Sequence, residues 1–215
     1  MSCKFRVSSQ SEYVASTCFD LKKKVNFDPI TPSKLETHNS KLLQKMALIK
    51  PVRGFTPQFG NDCFLAENAT IIGDVIMGDQ CSVWFTAVIR GDVNFIRMGN
   101  KVNVQDGAII HGTYEKAGTT VGNNVSIGHR AMVHGCTLHD NVLVGMGAIV
   151  MDNAVVGEKC LVAAGAIVLE NSVLEPGHIY AGIPARKIKP VPPEIMTGTM
   201  ERIANSYVMY AGWFK

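Results

Sequence analysis

Aliphatic side chains recur at every sixth position through most of this chain. The recurrence runs from position 65 to position 89, and after short slips it resumes as far as position 168. A strand alternates at every other residue, and a helical period of about 3.6 drifts out of phase within two such repeats, so neither explains the spacing. The aliphatic positions are Leu65, Ile71, Met77, Val83, Ile89, Met98, Val104, Ile110, Val121, Ile127, Val133, Leu138, Val144, Val150, Val156, Val162 and Val168.

Two further positions in each repeat support a coil of short, flat faces. The fourth residue after the aliphatic one is small or β-branched, as at Ala69, Val93 and Thr137, and the residue directly after the aliphatic one is often glycine. We expect the aliphatic side chain to point inward, the small one to pack beside it, and glycine to permit the turn. Stacked coils of this kind bury one continuous core. The pattern predicts an all-β solenoid in which Cys81 and Cys160 are core fillers.

The repeat resembles that of the hexapeptide-repeat proteins over about residues 60–175. This resemblance implies a left-handed parallel β-helix, usually assembled as a trimer. From Pro193 to Tyr210 the composition and apolar spacing are typical of a helix instead. The resemblance and this change of pattern together imply a left-handed β-helix domain at 46–191 and a C-terminal α-helix at 192–215.

Glycine content and charge both change near Met46. Residues 1–45 contain no glycine, and their eight Lys/Arg and four Asp/Glu give a balance of +4. The other 170 residues hold 13 Lys/Arg and 14 Asp/Glu, a balance of −1, so the net charge of +3 comes from the first segment. We expect 1–45 to be an N-terminal extension that is either flexible or not part of the native protein. A domain so close to neutral favours neither nucleic acid nor an anionic membrane as a partner.

Six cysteines occur without any CxxC spacing. The sequence also has neither a recognisable secretion signal nor a run of about 18 apolar residues. These features predict thiols in a reducing compartment, a cytoplasmic location and no membrane-spanning segment.

Three of the six histidines cluster in the middle coils. His111 and His134 each follow an inward aliphatic residue directly, so they share one phase of the coil, whereas His129 comes one position later and should point to another side. Zinc in a catalytic site typically takes three protein ligands and a water. The spacing therefore predicts a metal that His129 of one chain shares with His111 and His134 of a neighbour. The other three histidines are expected to be solvated or hydrogen-bonded.

Charged and amide side chains inside the coils are informative, because a coil does not need them. Arg90 and Asp92 lie in AVIRGDVN, where an ion pair between subunits is expected. Gln105 lies in KVNVQDG, and its neutral amide, which both donates and accepts, could orient a water at a metal.

Together the segments RGD, NVQDG, IIH, GHRAMVHG and VGMGAIV resemble the gamma-class carbonic anhydrases. The resemblance implies that His111 and His134 of one chain and His129 of the next bind Zn²⁺, or Fe²⁺ or Co²⁺, in a homotrimer. It implies metal-bound hydroxide at the subunit interfaces, attacking CO2 to give bicarbonate. The further site residues that it implies are the catalytic Gln105, Asn103 and Tyr207 and the interface ion-pair residues Arg90, Asp92 and Asp106.

Two departures from the best-studied members bear on the reaction. Val93 stands where they have a glutamate, and the long acidic loop after the first histidine is replaced by GTYEKAGTT. Tyr114 takes the place of the proton-shuttle glutamate, with Glu115 beside it. The resemblance thus implies the metal site more directly than the activity.

Other functions are compatible with the same repeat, because a fold does not imply a function. One is an acyl-CoA-dependent hexapeptide acyltransferase, in which one histidine acts as a general base. Another is a metal-binding or structural trimer with little or no anhydrase activity. A third is an accessory thioesterase activity.

Overall fold

The computed structural model describes residues 46–214. The extension predicted at 1–45 lies outside the described residues, so its boundary stays a prediction. From Leu48 onward the chain forms short strands that stack in parallel, one coil upon the next, and a helix follows them. The predicted parallel β-solenoid with a C-terminal helix is confirmed.

The solenoid has three faces. The first is formed by β1 (Leu48–Lys50), β8 (Ile109–His111), β11 (Met132–His134), β14 (Ile149–Val150) and β17 (Ile167–Val168). The second is formed by β2 (Gln58–Phe59), β9 (Thr119–Val121), β12 (Thr137–Leu138), β15 (Val155–Val156) and β18 (Val173–Leu174). Two long strands pair with both faces, namely β4 (Thr70–Met77) and β6 (Val88–Met98).

The third face consists of parallel strands closed by one antiparallel strand. The parallel strands are β3 (Phe64–Leu65), β5 (Ser82–Val83), β7 (Asn103–Val104), β10 (Ser126–Ile127), β13 (Leu143–Val144), β16 (Leu161–Val162) and β19 (His178–Ala181). The antiparallel strand is β20 (Arg186–Pro190). Its basic residues and its proline are of the kind that keep an exposed sheet edge from pairing with another chain.

The core confirms the phase of the repeat. Each predicted inward aliphatic residue is buried except Leu65, which is half-buried. Two of the small-residue positions given above are wrong, because Val93 and Thr137 are only half-buried. Ile96 and Cys136 are buried instead. The cause in the first case is β6, whose 11 residues cross a corner with a register shift against β4. In the second case, Leu138 points inward, so strand alternation turns its neighbour outward.

Glycine after the aliphatic residue is required by the neighbouring coil. A Cβ on Gly122 would lie 2.7 Å from the backbone nitrogen of Asp140, and one on Gly99 would lie 2.8 Å from the carbonyl carbon of Gly122. The corner residues with positive φ lie elsewhere in the repeat, as at Asn124 and Asn141, with φ of 54° and 58°. The expectation that this glycine permits the turn is therefore wrong. This glycine permits close stacking of the coils, and the turn is made by residues such as asparagine in the left-handed backbone conformation.

The C-terminal helix packs against the third face. It begins as α1 (Pro193–Ile195), passes through a π-helical turn (Met196–Glu201), continues as α2 (Arg202–Ala211), and ends in a 3₁₀ turn (Gly212–Phe214). Proline suits the first helical position because its missing N–H has no intrahelical partner there. Aromatic rings anchor the helix, with Tyr207 and Trp84 centroids 5.2 Å apart.

The described residues include no helix that is both long and apolar enough to cross a membrane. Both cysteines predicted to fill the core, Cys81 and Cys160, are buried thiols.

Candidate metal centre

His111 and His134 lie side by side on the first face. They end β8 and β11, which pair in register so that each histidine is the other's partner. Because each follows a buried aliphatic residue, strand alternation turns both rings outward. The Nδ1 atom of His111 lies 3.2 Å from the Nε2 atom of His134. Two ring nitrogens therefore face each other closely enough to share one ligand.

A carboxylate holds each of the three predicted histidine ligands by its other nitrogen. Asp92 Oδ1 lies 3.1 Å from His111 Nε2. Asp152 Oδ1 lies 2.5 Å from His134 Nδ1, and Asp106 Oδ2 lies 2.8 Å from the Nδ1 atom of the third histidine, His129. Metal-ligating histidines usually donate their second N–H to a carboxylate or a carbonyl, which fixes the tautomer and the ring orientation.

Burial and the neighbouring cations favour the neutral ring of His111. Burial lowers the pKa of His111, and the nearby Arg90 and His134 add to this, although Asp92 opposes it. Burial alone would raise the pKa of Asp92, but hydrogen bonds from Arg90 and His111 hold it below its ordinary value. A neutral imidazole beside an ionised carboxylate is the form that binds a metal.

His129 lies at the end of the third face, in the turn that follows β10 and Gly128. Its Nε2 atom lies 3.4 Å from the Tyr207 hydroxyl, which comes from α2. Within residues 46–214 of a single chain, no three His, Cys, Asp or Glu side chains are grouped closely enough to hold a metal ion. One chain thus offers the pair on one face and His129 on another.

The amide of Gln105 is buried and fixed in orientation. Its Oε1 accepts a hydrogen bond of 3.2 Å from the backbone N–H of His129, and its Nε2 donates one of 3.0 Å to Asn103 Oδ1. Asn103 in turn donates to the Ser126 hydroxyl at 2.8 Å. One N–H of the Gln105 amide is left to donate to another group.

The residues predicted to form an interface ion pair separate into two groups within one chain. Arg90 Nη1 lies 2.5 Å from Asp92 Oδ2, whereas Asp106 contacts His129. Their predicted place between subunits stays a prediction.

Burial raises the pKa of Tyr207 to about 12, so its hydroxyl stays protonated at neutral pH.

Two residues of the centre were missed by sequence reasoning. Asp152 contacts His134, and the Thr113 hydroxyl donates a hydrogen bond to Asp152. Burial alone would raise the pKa of Asp152, but the hydrogen bonds from Thr113 and His134 lower it. A signal was present, because Asp152 is a charged residue inside a coil, two positions after the inward Val150.

A groove of about 460 Å³ opens beside His129, between the third face and the C-terminal helix. Gln105, His129 and Tyr207 line one part of it, and aliphatic side chains such as Leu161 and Ile203 line much of the rest. The groove therefore combines a largely apolar wall with the polar groups around His129.

The donor set fits a transition-metal ion. Each of the three histidines has one ring nitrogen held by a carboxylate and the other directed away from it. Imidazole ligands suit Zn²⁺, Fe²⁺ and Co²⁺ alike, and three of them are a common catalytic zinc set.

Comparisons with known proteins agree with the fold. A family model described as bacterial transferase hexapeptide (six repeats) matches residues 135–170. The carbonic anhydrase of Geobacillus kaustophilus is 40% identical over 168 residues, which cover 78% of this chain and 91% of that protein. Gamma carbonic anhydrase 2, mitochondrial, of Arabidopsis thaliana is 38% identical over 161 residues, with 73% of this chain and 58% of that protein covered. A solved structure of a hexapeptide transferase family protein from Anaplasma phagocytophilum is 35% identical, with a TM-score of 0.74 and 78% and 98% of the two chains covered.

The fold and the repeat define a hexapeptide-repeat solenoid protein. Its sequence identity to the carbonic anhydrase relatives narrows the class of protein further. The chain belongs to the gamma-class carbonic anhydrase family. The resemblance carried by the RGD, NVQDG and GHRAMVHG segments is thereby confirmed.

Proposed function

We propose that this chain is a gamma carbonic anhydrase-like metalloenzyme that reversibly hydrates CO2 to bicarbonate. The observation that carries the proposal is the facing pair of ring nitrogens, His111 Nδ1 and His134 Nε2, 3.2 Å apart on stacked strands. The carbonic anhydrase relatives supply the choice of reaction, since a fold alone does not.

His129 of a neighbouring chain is proposed as the third ligand. It carries the same carboxylate support as the pair but lies on another face of its own chain. A homotrimer in which each His129 meets the pair of the next chain would complete three metal centres. Zn²⁺ is the proposed metal, with Fe²⁺ or Co²⁺ as alternatives.

A row of outward apolar side chains beside the pair supports contact between copies. Its member Ile109 lies two residues before His111 and is 36% exposed. The other four members of the row are half-buried. A row of partly exposed apolar side chains is a candidate interaction surface. A copy docked on the row would bring its own side chains to His111 and His134. The row consists of Val88, Ile109, Met132, Ile149 and Ile167, stacked in register.

The chain's own residues would prepare the site for this chemistry. When bound, the metal would supply the Lewis acidity that makes water a nucleophile near neutral pH. Gln105 would use its remaining N–H to orient a water or a substrate oxygen, because its other polar groups are already engaged. Asp92 and Asp152 would keep the protons on the ring nitrogens that face them, which leaves the opposite nitrogens as ligands.

The groove beside His129 would admit CO2, which is small and apolar, along its aliphatic wall. Tyr207, which also lines the groove, would donate its hydroxyl there, since its raised pKa of about 12 keeps it protonated. Asn103 would act through Gln105, whose amide it orients.

Stopped-flow CO2 hydration tests the proposal. Protein is loaded with Zn²⁺ and separately, without oxygen, with Fe²⁺ or Co²⁺, and its metal content is measured. We expect one metal per subunit, CO2 hydration, and loss of both in His129→Ala while the trimer stays intact. His139→Ala is the matched control, because His139 is an exposed histidine outside the centre and should leave both unchanged.

Two results would contradict the proposal in different ways. Protein that carries one metal per subunit but hydrates no CO2 would be a metal-binding trimer without the reaction. Protein that binds none of the three metals would have neither the site nor the reaction.

An acyl-CoA-dependent acyltransferase is the second candidate. It is favoured by the groove of about 460 Å³, which is roomier than CO2 requires, and by the relative named as a hexapeptide transferase family protein. Release of free CoA from acetyl-CoA, in the presence of amine and hydroxyl acceptors, tests it. Turnover that survives loss of all three histidines would exclude the metal from that activity.

The cytoplasmic location expected from the sequence stays a prediction.

A further inference from the structure

Arg53 occupies a tight turn outside the solenoid coils. Val52 and Phe55 pair across this turn through two backbone hydrogen bonds of 3.0 Å. The two residues between them, Arg53 and Gly54, have φ of 54° and 82°. Turns with positive φ at both central positions favour glycine, which has no Cβ, and asparagine and aspartate, whose short polar side chains can hydrogen-bond locally. The turn itself therefore does not require an arginine at this position.

The first contact of Arg53 leads to His111. Its Nη1 donates a hydrogen bond of 3.3 Å to the backbone oxygen of Asp92. The Asp92 carboxylate lies 3.1 Å from His111 Nε2. Arg53 thus ties the turn to the residue that orients one histidine of the pair.

The second contact of Arg53 leads to His134. Its guanidinium carbon lies 5.3 Å from the centre of the Tyr114 ring, within the range of a cation–π interaction. Tyr114 directly follows Thr113, whose hydroxyl donates to Asp152, and Asp152 lies 2.5 Å from His134 Nδ1. Arg53 therefore also contacts the loop that supports the other histidine.

We propose that Arg53 is a positioning residue that holds these two supports, Asp92 and the 113–117 loop, at a fixed spacing. The inference rests on the proposed function in one respect, namely that His111 and His134 bind a metal. A guanidinium suits the role because it can donate in its plane while its face lies on an aromatic ring, which a lysine ammonium cannot do.

The effect on metal binding should be moderate, because Arg53 acts through other residues. Loss of a direct partner of a metal-ligating histidine typically weakens metal binding by about 10–100-fold. Asn94 also donates to the Thr113 backbone oxygen, at 3.1 Å, so the loop would loosen without detaching. We therefore expect Arg53→Met to weaken zinc binding by about 3–10-fold, below the range for a direct partner.

Competition with a coloured chelator measures this change in zinc affinity. Arg53→Lys, which keeps the charge over the Tyr114 ring, should restore part of the affinity lost in Arg53→Met. Arg186→Met is the matched control, because Arg186 is an exposed arginine on β20 and should bind zinc as the unmodified protein does.

Amide hydrogen exchange on the metal-free protein gives a second readout. The Ala117 N–H donates to the Thr113 backbone oxygen at 3.1 Å, and it should exchange faster in Arg53→Met while amides of the core strands do not change. Unchanged affinity and unchanged exchange would overturn the inference. If the unmodified protein bound no zinc but the loop still responded to Arg53→Met, the proposed function would fail, and the positioning role of Arg53 toward the loop would stand.

Discussion

Three histidine–carboxylate contacts are the residue-scale basis of the proposed chemistry. Asp92, Asp106 and Asp152 each hold one ring nitrogen, at 2.5–3.1 Å. Each carboxylate belongs to a different coil from its histidine, so a local sequence motif does not show the contact. Only the stacking of the coils brings the carboxylates to the rings. Each of these histidines has one ring nitrogen bound to a carboxylate and the other directed away from it. A solvated surface histidine has no such fixed orientation.

Replacing one of these carboxylates should weaken metal binding without unfolding the coil. In Asp152→Asn the amide cannot hold His134 as an anion does, so we expect zinc affinity to fall by about 10–100-fold. Chelator competition measures the change. Glu170→Gln is the matched control, because Glu170 lines a small cavity together with His134 and Asp152 and is exposed. Equal affinities in the two variants would show that Asp152 does not support a metal ligand.

At the scale of elements, strands and helix contribute differently. Paired strands set the spacing of His111 and His134, because their register is that of the buried Ile110 and Val133 beside them. The helix instead supplies Tyr207, whose position depends on its ring packing against Trp84. The first contribution is fixed by backbone pairing and the second by side-chain packing.

The helix contact should make stability depend on alkaline pH through Tyr207. Burial raises its pKa from 10.0 to about 12, so the folded chain favours the neutral phenol. Its contribution is complete below pH 10 and is lost as pH rises towards about 12, because the unfolded chain ionises first. Thermal unfolding followed across this range should show a smaller fall in stability for Tyr207→Phe than for the unmodified protein.

The matched control for this pH dependence is Tyr114→Phe, since Tyr114 is 52% exposed. It should retain the full alkaline fall in stability. If Tyr207→Phe retained it as well, the ionisation of Tyr207 would not be coupled to unfolding.

The fold could be predicted from the sequence because its period is local. An aliphatic residue at every sixth position requires only that each coil repeat the last, and the buried residues obey it. The errors fall where a coil departs from the repeat, as at Val93 on the long strand β6. Of the candidate site, the histidines could be found by their phase. Asp152 was marked only as a charged residue inside a coil, because its partner depends on which coils stack. Arg53 carried no signal, because its turn lies outside the coils.

At the scale of the whole molecule, the proposed site requires more than one chain. The pair and His129 lie on different faces, and an outward apolar row runs beside the pair. The row covers the first face from one coil to the next, so association would bury it and complete the site in one step. Metal binding should therefore require assembly, whereas assembly rests on the apolar row and does not require the metal.

A charge placed in this row should disrupt both the assembly of the chains and the binding of the metal. In Ile109→Lys the ammonium would lose its hydration on association, which is unfavourable without a partner. We expect sedimentation to give the chain mass of 23.3 kDa instead of three times that value, together with loss of bound metal. Ile188→Lys on β20, at a residue 58% exposed, is the matched control and should remain assembled. Assembly that survives Ile109→Lys would exclude this row as the interface.

The short loop at 113–117 has a consequence for how such a site can change over time. His111 and His134 are 23 residues apart in sequence, yet they are direct neighbours in the sheet. The loop leaves the coil and returns to it through the bridge between Thr113 and Ala117. Insertions or deletions between these two residues alter the distance along the chain without altering the distance between the rings. The loop is thus an insertion point beside the histidines, where acidic groups can be gained or lost while the ligands keep their places.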